Sequence, residues 1–131
     1  MSATTPPKWV GLSNYLTLFK DGRFWHAVGS TFYFTIVALV LEVVLGVAIA
    51  LLLFRDFRGK NLAKTIFLLP MVATPVAMGL VWMLIYEPTI GVANTFLKSA
   101  GFKPLLWLAS TQQVIPSLIL IDVWEWTPMI A

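Results

Sequence analysis

Residues 32–54 read FYFTIVALVLEVVLGVAIALLLF, residues 65–86 read TIFLLPMVATPVAMGLVWMLIY, and only RDFRGKNLAK, residues 55–64, separates them. Each apolar run is long enough to cross a bilayer, because about 20 helical residues at a rise of about 1.5 Å cover a hydrocarbon core of about 30 Å. The sequence therefore predicts two transmembrane helices, at 32–54 and 65–86, joined by a short polar turn.

The turn at 55–64 carries a strong charge bias. It contains four basic residues against one acid, Asp56; the four are Arg55, Arg58, Lys60 and Lys64. Basic residues in short loops are retained on the cytoplasmic side of the membrane. The turn is therefore predicted to be cytoplasmic, with the first span running inward and the second running outward.

The composition points to the same class of protein. Hydrophobic residues make up 59% of the chain and charged residues 11%, and the mean hydropathy is +0.85, whereas a soluble domain is about a quarter charged. The net charge of +3 is concentrated in the turn, so it favours lipid headgroups over nucleic acid as a partner. The lipid bilayer is the expected surrounding, and no nucleic acid is expected.

The sequence shows no recognisable arrangement of residues for catalysis or metal binding. It has no cysteine, and its one histidine, His26, has no partner at metal-ligand spacing. No phosphate-binding glycine loop and no nucleophile with a matching base can be recognised. We expect no catalytic residue, no metal, no cofactor and no enzymatic activity.

The remaining segments complete an all-α prediction. Residues 1–31 are expected to lie outside or along the membrane surface, with a short helix capped by Ser13 and ended by Gly22. Residues 87–113 form an extracytoplasmic connection, in which VANTFLKSAG is a short helix ended by Gly101 and Ser110 with Gln113 forms a capping box. A third helix then runs inward through residues 114–131. It has no basic cluster at its inner end, which favours an incomplete span in a piece of a longer protein over a complete three-helix protein.

Glu42 falls near the middle of the first span, where a carboxylate costs about 2.5 to 3.5 kcal/mol unless it faces protein or water. Small residues flank it at every fourth position, at Ala38, Gly46 and Ala50, and such a stripe allows another helix to approach closely. Glu42 is therefore expected to face a partner helix. Two interpretations stay open: a substrate or proton site, and a buried polar group that fixes the register of the helices.

Asp122 and Glu125 are three residues apart and so share one face of the third helix. Counted from Val114 they lie about 12 Å and about 17 Å along the helix, a depth at which transporters bind substrate. They are candidates for a polar pathway. The alternative is that Glu125 faces a cytoplasmic vestibule while Asp122 caps a break near Pro128. Trp124, between the two acids, could stack on a sugar ring or simply pack.

The second span contains two prolines, Pro70 and Pro75, and each is expected to bend the helix by freeing a backbone carbonyl. Gly79 continues the small face of Pro75. We expect these three residues to contribute to helix packing, together with the small stripe of the first span.

Several longer stretches give the chain a family resemblance. They are VGLSNYLTLFKDGRFWHAVGSTFYFT at 10–35, LxxxLGVAIALLL in the first span, GKNLAKTIFLLPMVATPVAMGLVWMLIYEPTIGVANTFL at 59–97, and IDVWEWTPM at 121–129. In combination they resemble the permease subunit of bacterial binding-protein-dependent ABC importers for sugars. The positions that match the family pattern are Gly11, Leu12, Asn14, Tyr15, Phe24, Trp25, Thr31, Leu69, Pro70, Trp82, Pro88, Gly91, Asn94, Trp124 and Pro128, with Ser30 in place of an asparagine.

The resemblance implies a polytopic, type I ABC importer permease fold in the bacterial inner membrane. It implies three kinds of partner: a second permease subunit, a cytoplasmic ATPase and an extracytoplasmic solute-binding protein. Two departures stand out: MSATTPPK replaces the family's first span, and the EAA loop that docks into the ATPase is absent after WxxxP. Two other classes also fit the buried acids, a proton-coupled carrier and a small structural membrane subunit.

Overall fold

The computed structural model describes residues 9–131; the expectations for residues 1–8 lie outside the described residues. The fold is all-α, as predicted, and residues 9–131 contain no strand. The helices are α1 (Ser13–Lys20), α2 (Gly22–Phe54), α3 (Lys60–Val72), α4 (Pro75–Ile85), α5 (Val92–Ser99) and α6 (Val114–Ile130), with a 3₁₀ turn at Trp107–Ala109.

The described residues divide into two compact units, residues 9–33 and residues 34–131. In the first, Trp25 Nε1 donates a hydrogen bond of 2.9 Å to the carbonyl of Phe19, which ties the start of α2 to the end of α1. Ser13 makes no capping hydrogen bond, and Gly22 begins α2 instead of ending α1. The reason is Asp21, whose carboxylate accepts the Arg23 N–H at 2.9 Å and so starts a new helix.

Helix α2 has 33 residues and a length of about 50 Å. Within residues 9–131 it is the only single helix that is long and apolar enough to cross a membrane. It begins at Gly22, ahead of the predicted start of the first span at residue 32. The helix therefore begins ahead of the apolar run and includes more polar residues at its N-terminal end.

The second apolar run is not one helix, which corrects the prediction for 65–86. It is divided between α3 and α4, whose axes are bent by 97°. Ala73 and Thr74 have extended backbones, with φ −72°, ψ 146° and φ −68°, ψ 131°. Thr74 precedes Pro75, and the residue before a proline is sterically disfavoured in helical conformation. Pro70, in contrast, lies inside α3.

The basic turn is shorter than the predicted 55–64, because α3 begins at Lys60. Gly59 precedes it with φ +94°, a left-handed conformation that glycine adopts without strain. Lys60 Nζ lies 2.9 Å from the Asp56 carboxylate across one turn. Lys60 and Lys64 therefore belong to the first turns of α3.

The predicted α5 and α6 are both present. α5 occupies Val92–Ser99, and Gly101, with φ +81°, follows its end. α6 begins at Val114 as expected, but Ser110 and Gln113 do not form a reciprocal capping box. The Gln113 Oε1 atom instead accepts the N–H groups of Leu106 and Trp107, at 2.8 Å and 3.1 Å. α6 packs on α3 and on the 3₁₀ turn.

Candidate functional site

The contact between α2 and α6 is the core of the second unit. Ala38 of α2 and Ile119 and Val123 of α6 form its buried apolar cluster. Gly46 lies against the end of α6, where a Cβ atom would be 2.7 Å from Ile130 Cγ2. The small stripe of α2 is thus its buried face, with Ala50 half-buried towards the C-terminal end of the helix.

This contact brings two predicted acids together. Glu42 is only 9% exposed, and its carboxyl group lies beside that of Asp122, close enough for the two to interact directly. Neither forms an ion pair with a basic side chain in residues 9–131, where the two ion pairs are Asp21–Arg23 and Asp56–Lys60. Two like charges in an apolar surrounding repel strongly. The pair therefore suits a polar group placed between the carboxyls.

Trp124 and Glu125 do not join the Glu42–Asp122 pair. Trp124 is 40% exposed and lines an apolar groove of about 400 Å³ between α2, α3 and α6, next to Pro70. Glu125 is half-buried. The structure thus joins Asp122 to Glu42 and places Trp124 with Pro70.

Pro75 and Gly79 are exposed, and nothing lies within 4 Å of the place where a Gly79 Cβ would stand. The predicted packing role of these two residues therefore finds no partner helix in residues 34–131. The physical reason is the bend before Pro75, after which α4 packs on α5.

The four basic residues lie where the C-terminal end of α2 is joined to the N-terminal end of α3. Arg55, Arg58 and Lys64 are exposed. The hydrogen bond and the positive charge of Lys60 hold the pKa of Asp56 below its usual range. The one acid of the turn therefore stays ionised and offsets one of the four positive charges.

A second centre, which the sequence analysis did not select, surrounds Asn94. This side chain is fully buried, with 0% exposure. Its Nδ2 donates to the carbonyls of Pro88 and Leu105 at 2.9 Å and 2.8 Å. Its Oδ1 accepts the Leu105 N–H and the indole N–H of Trp107, both at 2.9 Å. Both donors and both lone pairs of the amide are thus satisfied.

Four aromatic rings continue from this centre towards α6, and we call them the aromatic row: Trp107, Tyr86, Trp82 and Trp124. Trp107 stacks on Tyr86 with 4.5 Å between ring centroids and 8° between planes. Tyr86 lies 5.2 Å from Trp82, and Trp82 meets Trp124 edge-on at 5.3 Å. The row connects the 87–113 segment with the helix that carries Asp122.

A tight turn joins α4 to α5 beside this row. The Glu87 carboxylate accepts the N–H groups of Thr89 and Ile90 at 2.7 Å and 2.6 Å. The hydrogen bonds from Ile90 and Thr89 lower the pKa of Glu87. Gly91 follows, where a Cβ would lie 2.6 Å from the Ile85 carbonyl oxygen. The sequence already contained a signal for this turn, because one family motif is matched by Trp82, Pro88, Gly91 and Asn94.

Comparison with known proteins shows which proteins this chain resembles. No family model matches the chain. The "Probable ABC transporter permease protein y4oQ" of Sinorhizobium fredii is 40% identical over 120 residues, which are 92% of this chain and 38% of the relative. The "Trehalose/maltose transport system permease protein MalF" of Thermococcus litoralis is 31% identical over 120 residues, 92% of this chain and 41% of the relative.

A solved structure shares the fold. In a bacterial alginate ABC transporter in complex with an alginate pentasaccharide-bound periplasmic protein, one chain matches with a TM-score of 0.83 at 20% identity, over 92% of this chain and 43% of that chain. The present chain is thus homologous to the permease subunits of ABC transporters, sugar transporters among them. It spans about two fifths of the length of the curated relatives it matches.

Proposed function

We propose that this chain forms part of the solute pathway of an ATP-driven importer for a carbohydrate, in the inner membrane of a bacterium. The observation that carries the proposal is the homology to ABC transporter permeases over 92% of the chain. One of these relatives is named for trehalose and maltose, which supports a saccharide as the solute.

The α2–α6 contact offers groups suited to a carbohydrate. Carboxylate oxygens such as those of Glu42 and Asp122 accept hydrogen bonds from sugar hydroxyls. The exposed ring of Trp124 offers an apolar face to the C–H side of a sugar ring. Buried acids in a membrane helix are costly unless they face protein or water. A polar pathway beside α6 would compensate for that cost.

The proposed membrane course is multi-pass. Residues 1–31 and 87–113 lie outside, 32–54 and 65–86 span the bilayer, the basic turn lies inside, and 114–131 enters again. Helices α3 and α4 would together form the second span, as a discontinuous transmembrane helix of the kind found in transporters.

The proposal includes three protein partners. A second permease subunit would close the pathway, a cytoplasmic ATPase would drive it, and an extracytoplasmic solute-binding protein would deliver the sugar. The alginate transporter bound to its periplasmic protein supports the last partner by analogy of fold. In such an assembly we expect ATP hydrolysis to belong to the ATPase and no residue of this chain to catalyse it.

The test is solute uptake by proteoliposomes that hold the importer assembled with the protein containing this chain. We expect uptake of a labelled disaccharide to require ATP and the binding protein. Glu42→Gln with Asp122→Asn should reduce uptake, whereas Asp56→Asn, which changes an exposed acid, should leave it unchanged. Uptake that needs no ATP would contradict the proposal.

Glu42 and Asp122, which have no basic partner within residues 9–131, favour one second candidate, a proton-coupled carrier. In that case a protonophore would abolish uptake while ATP remains available. If neutralising Glu42, Asp122 and Glu125 together left uptake normal, the chain would be a structural subunit without a pathway.

A further inference from the structure

The aromatic row begins at a residue whose position is fixed by polar bonds. Asn94 joins two segments that are 17 residues apart in the chain, through the carbonyl of Pro88 and both backbone groups of Leu105. It also holds the Trp107 indole N–H. Because the amide is fully buried, water cannot replace a bond that is lost.

Trp107 is held at a second point as well. Its backbone N–H donates to Gln113 at 3.1 Å, and its φ of +44° is a conformation that a bulky residue adopts only where its surroundings impose it. With both the backbone and the indole N–H held, the ring is fixed in the plane that stacks on Tyr86.

The rest of the row is held by ring contacts. Tyr86 is 5% exposed and lies between Trp107 and Trp82. The Trp82 indole N–H is buried and has no hydrogen-bond partner in residues 9–131. Packing against Tyr86 and Trp124, and no polar bond, therefore sets the position of Trp82. A displacement of Trp107 would pass along the row to Trp124.

We propose that Asn94 is a positioning residue for Trp124: it fixes Trp107, and the aromatic row carries that position into the groove lined by Trp124 and Pro70. This inference rests on the proposed function only for the claim that Trp124 contacts the carbohydrate. The segment 87–113, which is proposed to lie outside, then sets through Asn94 the aromatic surface that a sugar meets in this groove.

The positional claim can be tested on the chain itself, in lipid nanodiscs and without transport. The six tryptophans are labelled with 5-fluorotryptophan, and single Trp→Phe variants assign the ¹⁹F resonances. We expect Asn94→Ala to shift the resonances of Trp107, Trp82 and Trp124 by more than a linewidth. Asn61→Ala, at an exposed asparagine on α3, is the matched control and should shift none of them.

Trp107→Phe covers the case in which Asn94→Ala fails to fold. It keeps a ring over Tyr86 but removes the indole N–H that Asn94 accepts, so the resonances of Trp82 and Trp124 should shift, by less than in Trp107→Ala. Asn94→Asp keeps the acceptor for Trp107 and should restore the Trp124 resonance partly. A purely local role would move Trp107 alone, and unmoved Trp82 and Trp124 resonances would overturn the proposal.

Uptake by the assembled importer supplies the second measurement. If Trp124 contacts the sugar, Asn94→Ala should raise the KM for the solute, and Trp124→Ala should do the same. Shifted resonances with an unchanged KM would keep the positioning role and remove the sugar contact. Unshifted resonances would reject the positioning role, whatever the uptake assay shows.

Discussion

Gly91 shows at the scale of one residue why one position of the α4–α5 turn tolerates no side chain. A Cβ there would lie 2.6 Å from the Ile85 carbonyl oxygen and 2.8 Å from the Glu87 nitrogen, which are both backbone atoms. We expect Gly91→Ala to destabilise the chain by about 1 to 3 kcal/mol, because the backbone must move. Unfolding in mixed micelles under increasing denaturing detergent measures this change.

The matched control is Gly79→Ala, since Gly79 lies in α4 with open space around it. Alanine favours a helix by up to about 1 kcal/mol over glycine, so this variant should be neutral or slightly more stable. If both variants unfolded at the same detergent fraction, the close backbone approach at Gly91 would be refuted.

Glu87 gives the same turn a pH dependence. The hydrogen bonds from Ile90 and Thr89 lower its pKa in the folded state. Their contribution to stability is therefore complete above the ordinary glutamate pKa of about 4.3, and it is lost as the pH falls through the lowered folded value. The amide ¹⁵N shifts of Thr89 and Ile90 should titrate with a midpoint below that ordinary value.

The control for this titration is Glu87→Gln, in which the two amide shifts should show no carboxyl titration. A midpoint at or above the ordinary value in the unmodified chain would mean that the carboxylate does not hold the turn.

The break between α3 and α4 belongs to the scale of the element. Pro75 is the first residue of α4 and forces Thr74 into an extended backbone, whereas Pro70 is accommodated inside α3. We expect Pro75→Ala to reduce the 97° bend and to lengthen the distance between spin labels at Lys64 and Leu84. Electron–electron resonance distances in nanodiscs provide the measurement.

Pro70→Ala is the matched control and should leave the label distance unchanged. If Pro70→Ala straightened the pair and Pro75→Ala did not, the assignment of the bend to Pro75 would be wrong. From the sequence, both prolines were expected to bend the helix, because each lacks a backbone N–H. What separates them is the extended backbone at Ala73 and Thr74, which composition does not reveal.

At the scale of the whole molecule, the sequence predicted the all-α class, the end of α5 and the start of α6, because apolar length and Gly101 are local signals. It also placed Ala38, Glu42 and Gly46 on one face, since a four-residue spacing follows from helix geometry alone. The Glu42–Asp122 pair was not predicted, because nothing local specifies which turns of α2 and α6 meet. Asn94 was missed for the same reason: its partners Leu105 and Trp107 lie more than ten residues away.

The orientation of the molecule rests on the basic turn. Arg55, Arg58 and Lys64 are exposed beside a single ionised acid, so carrying the turn across the bilayer would mean desolvating several positive charges. We expect a cysteine in this turn to react only from the cytoplasmic side. Phe57→Cys is the suitable probe, because Gly59 has φ +94° and a side chain there would be strained.

The chain has no native cysteine, so an impermeant maleimide reports one site at a time in intact cells. Phe57→Cys should label only after the membrane is opened, whereas Lys103→Cys, in the segment proposed to lie outside, should label at once. Changing Arg55, Arg58, Lys60 and Lys64 to glutamine should make the orientation mixed, so that each probe labels partly from both sides. Because the apolar lengths of α2 and α3–α4 are unchanged in that variant, a mixed orientation would assign the direction of insertion to charge alone. Labelling of Phe57→Cys from outside in the unmodified background would reverse the proposed topology. The helices α2 and α6, which carry Glu42 and Asp122, would then cross the membrane in the opposite direction.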